Sequence, residues 1–540
     1  MTSVTDFANA DVASPVHSAW SKMILAWRGR LSAPVAITVG SLLAGAIYTW
    51  FVGEDVNWDW QNYHEYNVWA VLNGRYDTDA VPAGFQTYFN PVVYFPYYYL
   101  RHLLPSPSGL LIMGAVHGLG LALVYFLARL LLGNAASLAT VGAAILIAAC
   151  GPMTLSETGT SFSDILTALP IIAGFTLIVS ADGSHRLRYV LAGLLLGAAV
   201  GLKLTNVVYA LGAAAAVLAA PRPFLATLCL GLGGAVGACA TGGAWSLMLW
   251  RELGNPIFPL FNAVFQSREL TPFNIMDTQF IPKSIWDALA YPFYWLVGDS
   301  RGAEQPFRDA RFAVATVLIA AGFVRRLTKP SGMFTRRDIQ FLLLFGVSYA
   351  AWLGVFSIQR YAVVLELLCA PLIVLLLVRV IAGENAAAGA SSVRVDSATT
   401  LVALAIALWS QPADWWHRPW SNIYQPTISA RLEQPATYFL LDKPVAYIAP
   451  LLAPQSRFYQ IVDIALPILP DGKFDRRIRA GLADPLPGGV WELHIRGKAH
   501  RSELLDRYGL AVDAAKPCVE IEAAQLATAL EVCPLAVLKK

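Results

Sequence analysis

Apolar residues in this chain come in long blocks rather than at amphipathic spacing. Runs long enough to cross a bilayer, or nearly so, fall at about 34–51, 109–131, 136–150, 164–180, 188–202, 204–220, 224–250, 309–324, 339–357, 361–382 and 398–410. Blocks of this kind predict membrane-spanning helices. The expected fold is therefore mostly α, a polytopic transmembrane helical bundle of about eleven spans. Three of the runs are short enough to tilt, merge or re-enter. No internal repeat is visible.

Two polar stretches between the blocks are long, 52–108 and 251–308, and the chain ends in a polar tail, 412–540. In the tail, "PVAYIAPLL", "RFYQIV" and "GVWELHIRG" read as short buried strands, and "SELLDRYGL" and "AAQLATALEV" as amphipathic helices. Strands alternating with helices predict a small C-terminal α/β domain. It shows no nucleotide-binding loop and no catalytic triad, and reads as a cap or acceptor-docking module. Residues 383–397 read as a small-residue loop.

Basic residues orient the bundle. Lys22, Arg28 and Arg30 precede the first run, Arg186 and Arg188 follow the fourth, and Arg325, Arg326, Lys329, Arg336 and Arg337 follow the eighth. With the N-terminal segment 1–33 inside, all of these fall on the cytoplasmic face, as the positive-inside rule requires. The expected organisation is a transmembrane domain, 34–411, with outer loops 52–108 and 251–308, and an extracytoplasmic domain, 412–540.

Composition agrees with a membrane protein. The chain is 56% hydrophobic and 14% charged, with a mean hydropathy of +0.53, whereas soluble chains carry about 25% charged residues. The first run lacks the small-residue cleavage pattern of a signal peptide and reads as a retained span. The net charge of +3 and the lack of long basic runs give no sign of a nucleic-acid partner. Cys150, Cys229, Cys239 and Cys369 lie in apolar runs as small hydrophobes. Cys518 and Cys533 lie in the tail, placed to pair if it faces an oxidising compartment, with two reduced thiols as the alternative.

The outer stretches carry the candidate chemistry. "NWDWQNYHEYNVWAVLNGRYDTD" (57–79) sets Asp59 at the start of a helix expected over 60–73 and stopped at Gly74. Tyr63, Tyr66 and Ala70 share one face of that helix, and Trp60, His64 and Val68 another, so it reads as a helix lying on the outer membrane surface. Then "PAGFQTYFNPVVYFPYYYLRHLLP" (82–105), with Gln86 and Asn90, returns along the membrane. Asp59 also suits a simple N-cap, Asp164 a cap of the fourth span, and His64 a packed ring. Arg360 and Lys203 also suit snorkelling anchors. "RELGNPIFPLFNAVFQSRELTPFN" (251–274) opens the second outer loop, placed to cover the site or grip a lipid. Asp55, Asp59, Asp164, Glu157 and His64 offer metal ligands, but no spacing demands an ion, and neither a metal nor another cofactor is predicted.

The string "DWQNYHEYNVW…GR…PAGFQTYFNP" resembles the GT-C superfamily of membrane glycosyltransferases, with bacterial family 87-like transferases nearer still. "FNPVVYFPYYYL" stands where that superfamily has a Pro-Leu-Tyr segment, with Asn90-Pro91 in place of its doubled proline. "SETGTSFSDILTALP" (156–170) resembles its second outer loop, which carries over Asp164 and, less closely, Glu157. "GLKLTN" (201–206) resembles its Leu-Thr-Lys turn with Lys203 ahead of Thr205, and "SIQRYAV" (357–363) resembles its Arg-Tyr at the outer end of a late span.

The resemblance implies an inverting transferase of a bacterial inner membrane. It would move a hexose or pentose from a polyprenyl-phosphate donor to a hydroxyl of a glycan, lipid or protein. Asp59 would be the general base; Asp164, Glu157, Tyr63, His64, Gln86 and Asn90 would line the donor and acceptor sites; Arg360, Lys203 and Tyr361 would hold the lipid phosphate. Two other readings stay open. One is a lipid or glycan flippase, although its charges belong near the midplane in repeated halves. The other is an O-antigen-type ligase, although a carboxylate so soon after the first span suits it less.

Overall fold

The computed structural model describes residues 33–181, 185–299, 301–328, 334–382, 393–420, 428–498, 500–521 and 529–538. Each apolar block is helical, and among the described residues five helices are long and apolar enough to cross a membrane: Pro34–Val52, Ser108–Leu132, Pro223–Leu253, Arg336–Val355 and Gln359–Ala382. Helix Val363–Ala382 runs through the middle, buried along nearly all its length. Helices Arg186–Leu202 and Pro223–Ala238 cross backbone to backbone: a Cβ added at Gly193 would meet the Leu230 carbonyl oxygen at 2.1 Å, and one at Gly233 the Val190 carbonyl oxygen at 2.1 Å, so the approach needs glycine on each helix. Residues 383–392 of the expected loop 383–397 lie outside the described residues, and a helix already starts at Val393.

The two ends of the bundle differ. Arg188 and Arg336 donate to the carbonyls of Ser180 and Ala181, at the far end of helix Asp164–Ser180 from Asp164. Arg379 and Asp338 form a buried ion pair, 2.9 Å apart. The opposite end holds the long polar loops.

The tail forms a mixed sheet in the order β4 (Arg457–Gln460), β3 (Thr437–Leu440), β5 (Val490–Ile495), β8 (Leu530–Val537), β6 (Leu510–Val512), with β7 (Val519–Ile521) also on β8. Strand β3 is parallel to β4 and to β5; β8 is antiparallel to its neighbours. Helix Lys473–Ala483 lies between β4 and β5 in the chain. Cys518 and Cys533 form a disulfide. Two expectations fail here. "PVAYIAPLL" is a 3-10 helix at Ala446–Leu451, because Pro450 cannot donate to a ladder. Leu530–Val532 of "AAQLATALEV" belong to β8, since pairing with β5 overrides the local helical preference; residues 523–528 lie outside the described residues.

The loop after the first apolar helix is clamped to the tail. Strand β1 (Glu54–Asp55) pairs with β2 (His417–Arg418). Ala80 exchanges backbone hydrogen bonds with Phe458 and Gln460 on the edge strand β4, at 3.0 and 2.9 Å. Arg75, ion-paired with Asp79 at 2.7 Å, donates to Pro454 and Ser456 carbonyls, and Asp79 accepts from Phe458 N at 3.0 Å. Residues 60–72 therefore do not lie open on a membrane surface. Glu65, Tyr66, Asn67, Val68 and Ala70 are all buried, and Trp60 packs on Tyr447 with ring centroids 5.5 Å apart. Their polar groups find partners within the protein: Asn62 and Asn67 donate to Gln86 Oε1 and Gln86 O of the return loop, and Tyr66 OH donates to Asp79.

At the loop end of the bundle Arg311 is fully buried between Asp309, 2.6 Å away, and Glu366, 3.0 Å away. Glu366 also accepts from Met153 N, Thr154 N and Thr154 Oγ1 at 3.1, 2.8 and 2.7 Å, which pins helix Pro152–Glu157 to the central helix. Removing one member of such a cluster leaves buried charge uncompensated. Arg311→Met is expected to cost about 3–5 kcal/mol, read as a lower thermal midpoint of the purified protein in detergent.

Candidate active site

The site is built where the loop after the first apolar helix meets three interhelical turns. The helix that carries Asp59 starts at residue 58, two residues earlier than the pattern suggests. Asn57 is its cap, with Oδ1 accepting from Trp60 N at 2.8 Å. Asp59 is therefore inside the helix, makes no capping bond and has its side chain free for other work. A π-turn at Trp60–His64 widens the helix and turns Tyr63 and His64 toward the same side.

Asp59 is 6% exposed and pairs with Arg360, which sits in the turn Gln359–Ala362 between two late spans. Tyr63 OH donates to the same Asp59 oxygen at 3.2 Å. The Arg360 guanidinium lies over the rings of Phe162 and Trp415 at 4.8 and 5.7 Å. Beside it, Asp164 opens helix Asp164–Ser180, and its Oδ1 accepts from Lys203 Nζ at 2.6 Å. Lys203 lies 4.8 Å from the Tyr361 ring centroid. Five of the expected residues, Asp59, Tyr63, Asp164, Lys203 and Arg360, are thus joined by two ion pairs and a hydroxyl, and Tyr361 walls them.

Glu157 completes the group. It is fully buried, and neither carboxylate oxygen has a hydrogen-bond partner among the described residues. His64 Nδ1 contacts Ser161 Oγ at 2.9 Å, and its ring stacks on Tyr94 with centroids 4.1 Å apart. Gln86 and Asn90 are second-rank in position. Gln86 accepts from Asn62 at 2.6 Å, and Asn90 donates to the carbonyls of Gly201 and Thr241 at 2.8 and 2.9 Å, which ties the return loop to two helices.

Burial pushes the Asp59 carboxyl up, but Arg360, His64 and Lys203 more than offset it and hold it below its ordinary value. Burial drives His64 down to about 3, only partly opposed by Asp59, so the ring is neutral at pH 7. Burial, with the Asp164 charge adding to it, raises Glu157 well above the carboxylate range. The site thus pairs Asp59 with Arg360 and Asp164 with Lys203, and adds a third carboxyl, Glu157, that burial shifts toward its neutral form.

Further residues set the frame. Asp55, expected only as a possible metal ligand, accepts from Asn57 Nδ2 at 2.7 Å and from Ser161 N at 2.7 Å, and so joins the loop after the first apolar helix to the segment 158–163. Trp415 and Glu366 reach the site from the tail and the central helix. None of these carries a spacing signal, because each acts through a partner far away in the chain.

Next to Lys203 a cavity of about 400 Å³ opens between helix ends and the loop 251–308. Its wall is mostly apolar, with Tyr88, Leu204, Trp245, Leu249, Ile257 and Phe258, and its polar members include Lys203, Asn90, Tyr63 and Tyr361. The arrangement can seat an apolar ligand with an anionic end against Lys203.

No family model matches the chain, and no curated protein matches it. The chain is similar to solved structures. The apo oligosaccharyltransferase of Archaeoglobus fulgidus matches 80% of this chain and 65% of its own, at 14% identity and a TM-score of 0.44. ArnT from Cupriavidus metallidurans, bound to undecaprenyl phosphate, matches 95% of this chain and 98% of its own, at 11% identity and a TM-score of 0.53. At that identity the likeness is one of fold, and the chain has a GT-C-like fold.

Proposed function

We propose that the protein is an integral-membrane glycosyltransferase that moves a sugar from a polyprenyl-phosphate carrier to an acceptor hydroxyl at the outer membrane face. The observation that carries this reading is the Asp59–Arg360 pair beside the Lys203-walled apolar cavity. The cavity suits a polyprenyl chain, and the ArnT structure of like fold holds undecaprenyl phosphate. The acceptor is a glycan, lipid or protein hydroxyl, and the sugar a hexose or pentose.

In this reading the lipid phosphate competes with Asp59 for Arg360 and with Asp164 for Lys203. Once Arg360 turns to the phosphate, Asp59 loses the partner that keeps it a weak base. It then takes the acceptor proton as the acceptor oxygen bonds to the anomeric carbon. The bond from that carbon to the phosphate oxygen breaks, its electron pair goes to the phosphate, and the two cations stabilise the charge. A single displacement inverts the anomeric centre. Phe162 and Trp415, which flank Arg360, exclude water from the pair.

The proposed topology has about eleven spans, segment 1–33 inside and domain 412–540 outside. The disulfide supports an oxidising compartment for the tail. Both outer loops touch that domain: Ala80 pairs with its edge strand, and Glu269 accepts from Lys473 N at 2.6 Å.

The test is transfer of labelled sugar from polyprenyl-phosphate donors by purified protein. Asp59→Asn is expected to lower turnover by about 10²–10⁴-fold while it still binds the donor and elutes like wild type. Arg360→Ala is expected to lose donor binding as well. Lipid movement across liposomes without any transfer would overturn the enzymatic reading in favour of a flippase.

Glu157 gives a second, independent check. Its folded pKa lies above its unfolded one, so the folded state keeps a proton that the unfolded state releases. Stability is then lost as pH rises from the unfolded value, about 4.3, through the folded one. Glu157→Gln removes that loss. The variant is expected to melt higher than wild type at pH 7–8, with the gain shrinking toward pH 5, and to transfer sugar more slowly. A pH-independent difference in melting would mean that Glu157 is not held neutral.

A further inference from the structure

The C-terminal sheet carries a second group of chemically active side chains, far in sequence from the site above. Strand β5 reads Trp491-Glu492-Leu493-His494-Ile495, and alternation puts Glu492 and His494 on one face. Both are buried, at 0% and 1% exposure. The residues directly opposite them on β8 are Cys533 and Glu531. After β5 the chain turns at Gly497, where φ is +80°, a conformation that favours glycine, and it brings His500 back over the same face.

The side chains converge. His500 Nδ1 contacts Glu492 Oε1, His494 Nε2 lies 3.2 Å from Glu531 Oε2, and the two imidazole centroids are 5.0 Å apart. One ligand atom from each of Glu492, His494, His500 and Cys533 falls within 4.8 Å of the others. Cys533 is tied up in its disulfide, which leaves two imidazoles and a carboxylate. Two buried atoms in the group, Glu492 Oε2 and His494 Nδ1, have no hydrogen-bond partner among the described residues.

Charge makes the same point. Among the described residues the ion-pair partners of Glu492 are only histidines, with no lysine or arginine. A carboxylate at 0% exposure needs a compensating positive charge. The neighbouring cations are engaged elsewhere: Arg496 with Glu520 at 3.0 Å and Lys498 with Asp442 at 3.2 Å.

We propose that Glu492, His494 and His500 bind a divalent transition metal, zinc by its chemistry. Two imidazoles and one carboxylate are a donor set that zinc accepts in tetrahedral geometry, with the fourth position open to water. The roles follow from the contacts. Glu531 accepts the proton on His494 Nε2, which leaves the Nδ1 lone pair for the ion. His500, whose side chain is 45% exposed, closes the site from the solvent side. The ion fastens the turn after β5 onto the sheet and supplies the charge that Glu492 lacks. The proposal does not depend on the glycosyltransferase reading.

The test uses the full chain in detergent without reductant, so that Cys518 and Cys533 stay joined and offer no thiolate. The protein is stripped with chelator, loaded with zinc chloride and desalted, and bound zinc is counted. His500→Ala replaces an exposed side chain and leaves the strands intact. Wild type is expected to hold one zinc more than His500→Ala, and zinc is expected to raise the melting temperature of wild type alone. Glu531→Gln is expected to weaken zinc binding by about 10–100-fold. Reading the difference between variants removes any ion held near Asp59. Equal zinc content in wild type and His500→Ala overturns the proposal and leaves a histidine–glutamate hydrogen-bond network.

Discussion

The rest of the loop end of the bundle depends on one constraint: a carboxylate and a guanidinium, both nearly buried, must find each other. Asp59 and Arg360 are 301 positions apart in the chain. Either charge alone at this depth would cost several kcal/mol, so the pair forms only if the helix that carries Asp59 and the turn before the central helix arrive together. The same rule repeats close by. Lys203 meets Asp164, and Arg311 meets Asp309 and Glu366. These contacts join five separate stretches of chain around one volume. The bundle packs by apolar surface and small residues, but its loop end is put in register by charge.

The C-terminal sheet does comparable work from the other side. A loop rich in aromatics and amides would be mobile if only its own contacts held it. Here Arg75, Asp79 and Ala80 lock it to β4, while β1 pairs with β2. The helix that carries Asp59 is thus gripped from above by the sheet and from below by Arg360. Rigid support of this kind is what a base and a phosphate-binding cation need to keep their geometry.

Much of the fold was legible because span-length apolar blocks depend only on local composition. Asp59, Asp164, Lys203 and Arg360 were legible one by one, since a charge beside such a block is costly and stands out. Their partners were not, because nothing in a sequence tells Asp59 to prefer Arg360 over Lys203. Asn57 and Ser161 are ordinary polar residues and give no signal until the loops meet. The 60–73 helix was misplaced on the membrane surface because its second burial surface comes from the tail. In the tail itself, Leu530–Val532 look helical in isolation and become strand only by pairing with β5. The Arg311 cluster escaped notice because Glu366 sits within an apolar run and its partners lie outside it.

Charge counting adds a last step to the proposed mechanism. Four carboxyl groups, Asp59, Asp164, Glu157 and Glu304, lie within electrostatic reach of two basic side chains, Arg360 and Lys203. Ionising Glu157 adds one more negative charge to a group already rich in carboxylates. An incoming lipid phosphate brings further negative charge to the same volume, so it is accepted more readily while Glu157 keeps its proton. Burial and Asp164 hold that proton in place, and the two unpartnered Glu157 oxygens leave the neutral acid able to donate to a phosphate oxygen. The group that destabilises the fold at neutral pH is, in this reading, the one that lets an anion enter a site already lined by carboxylates.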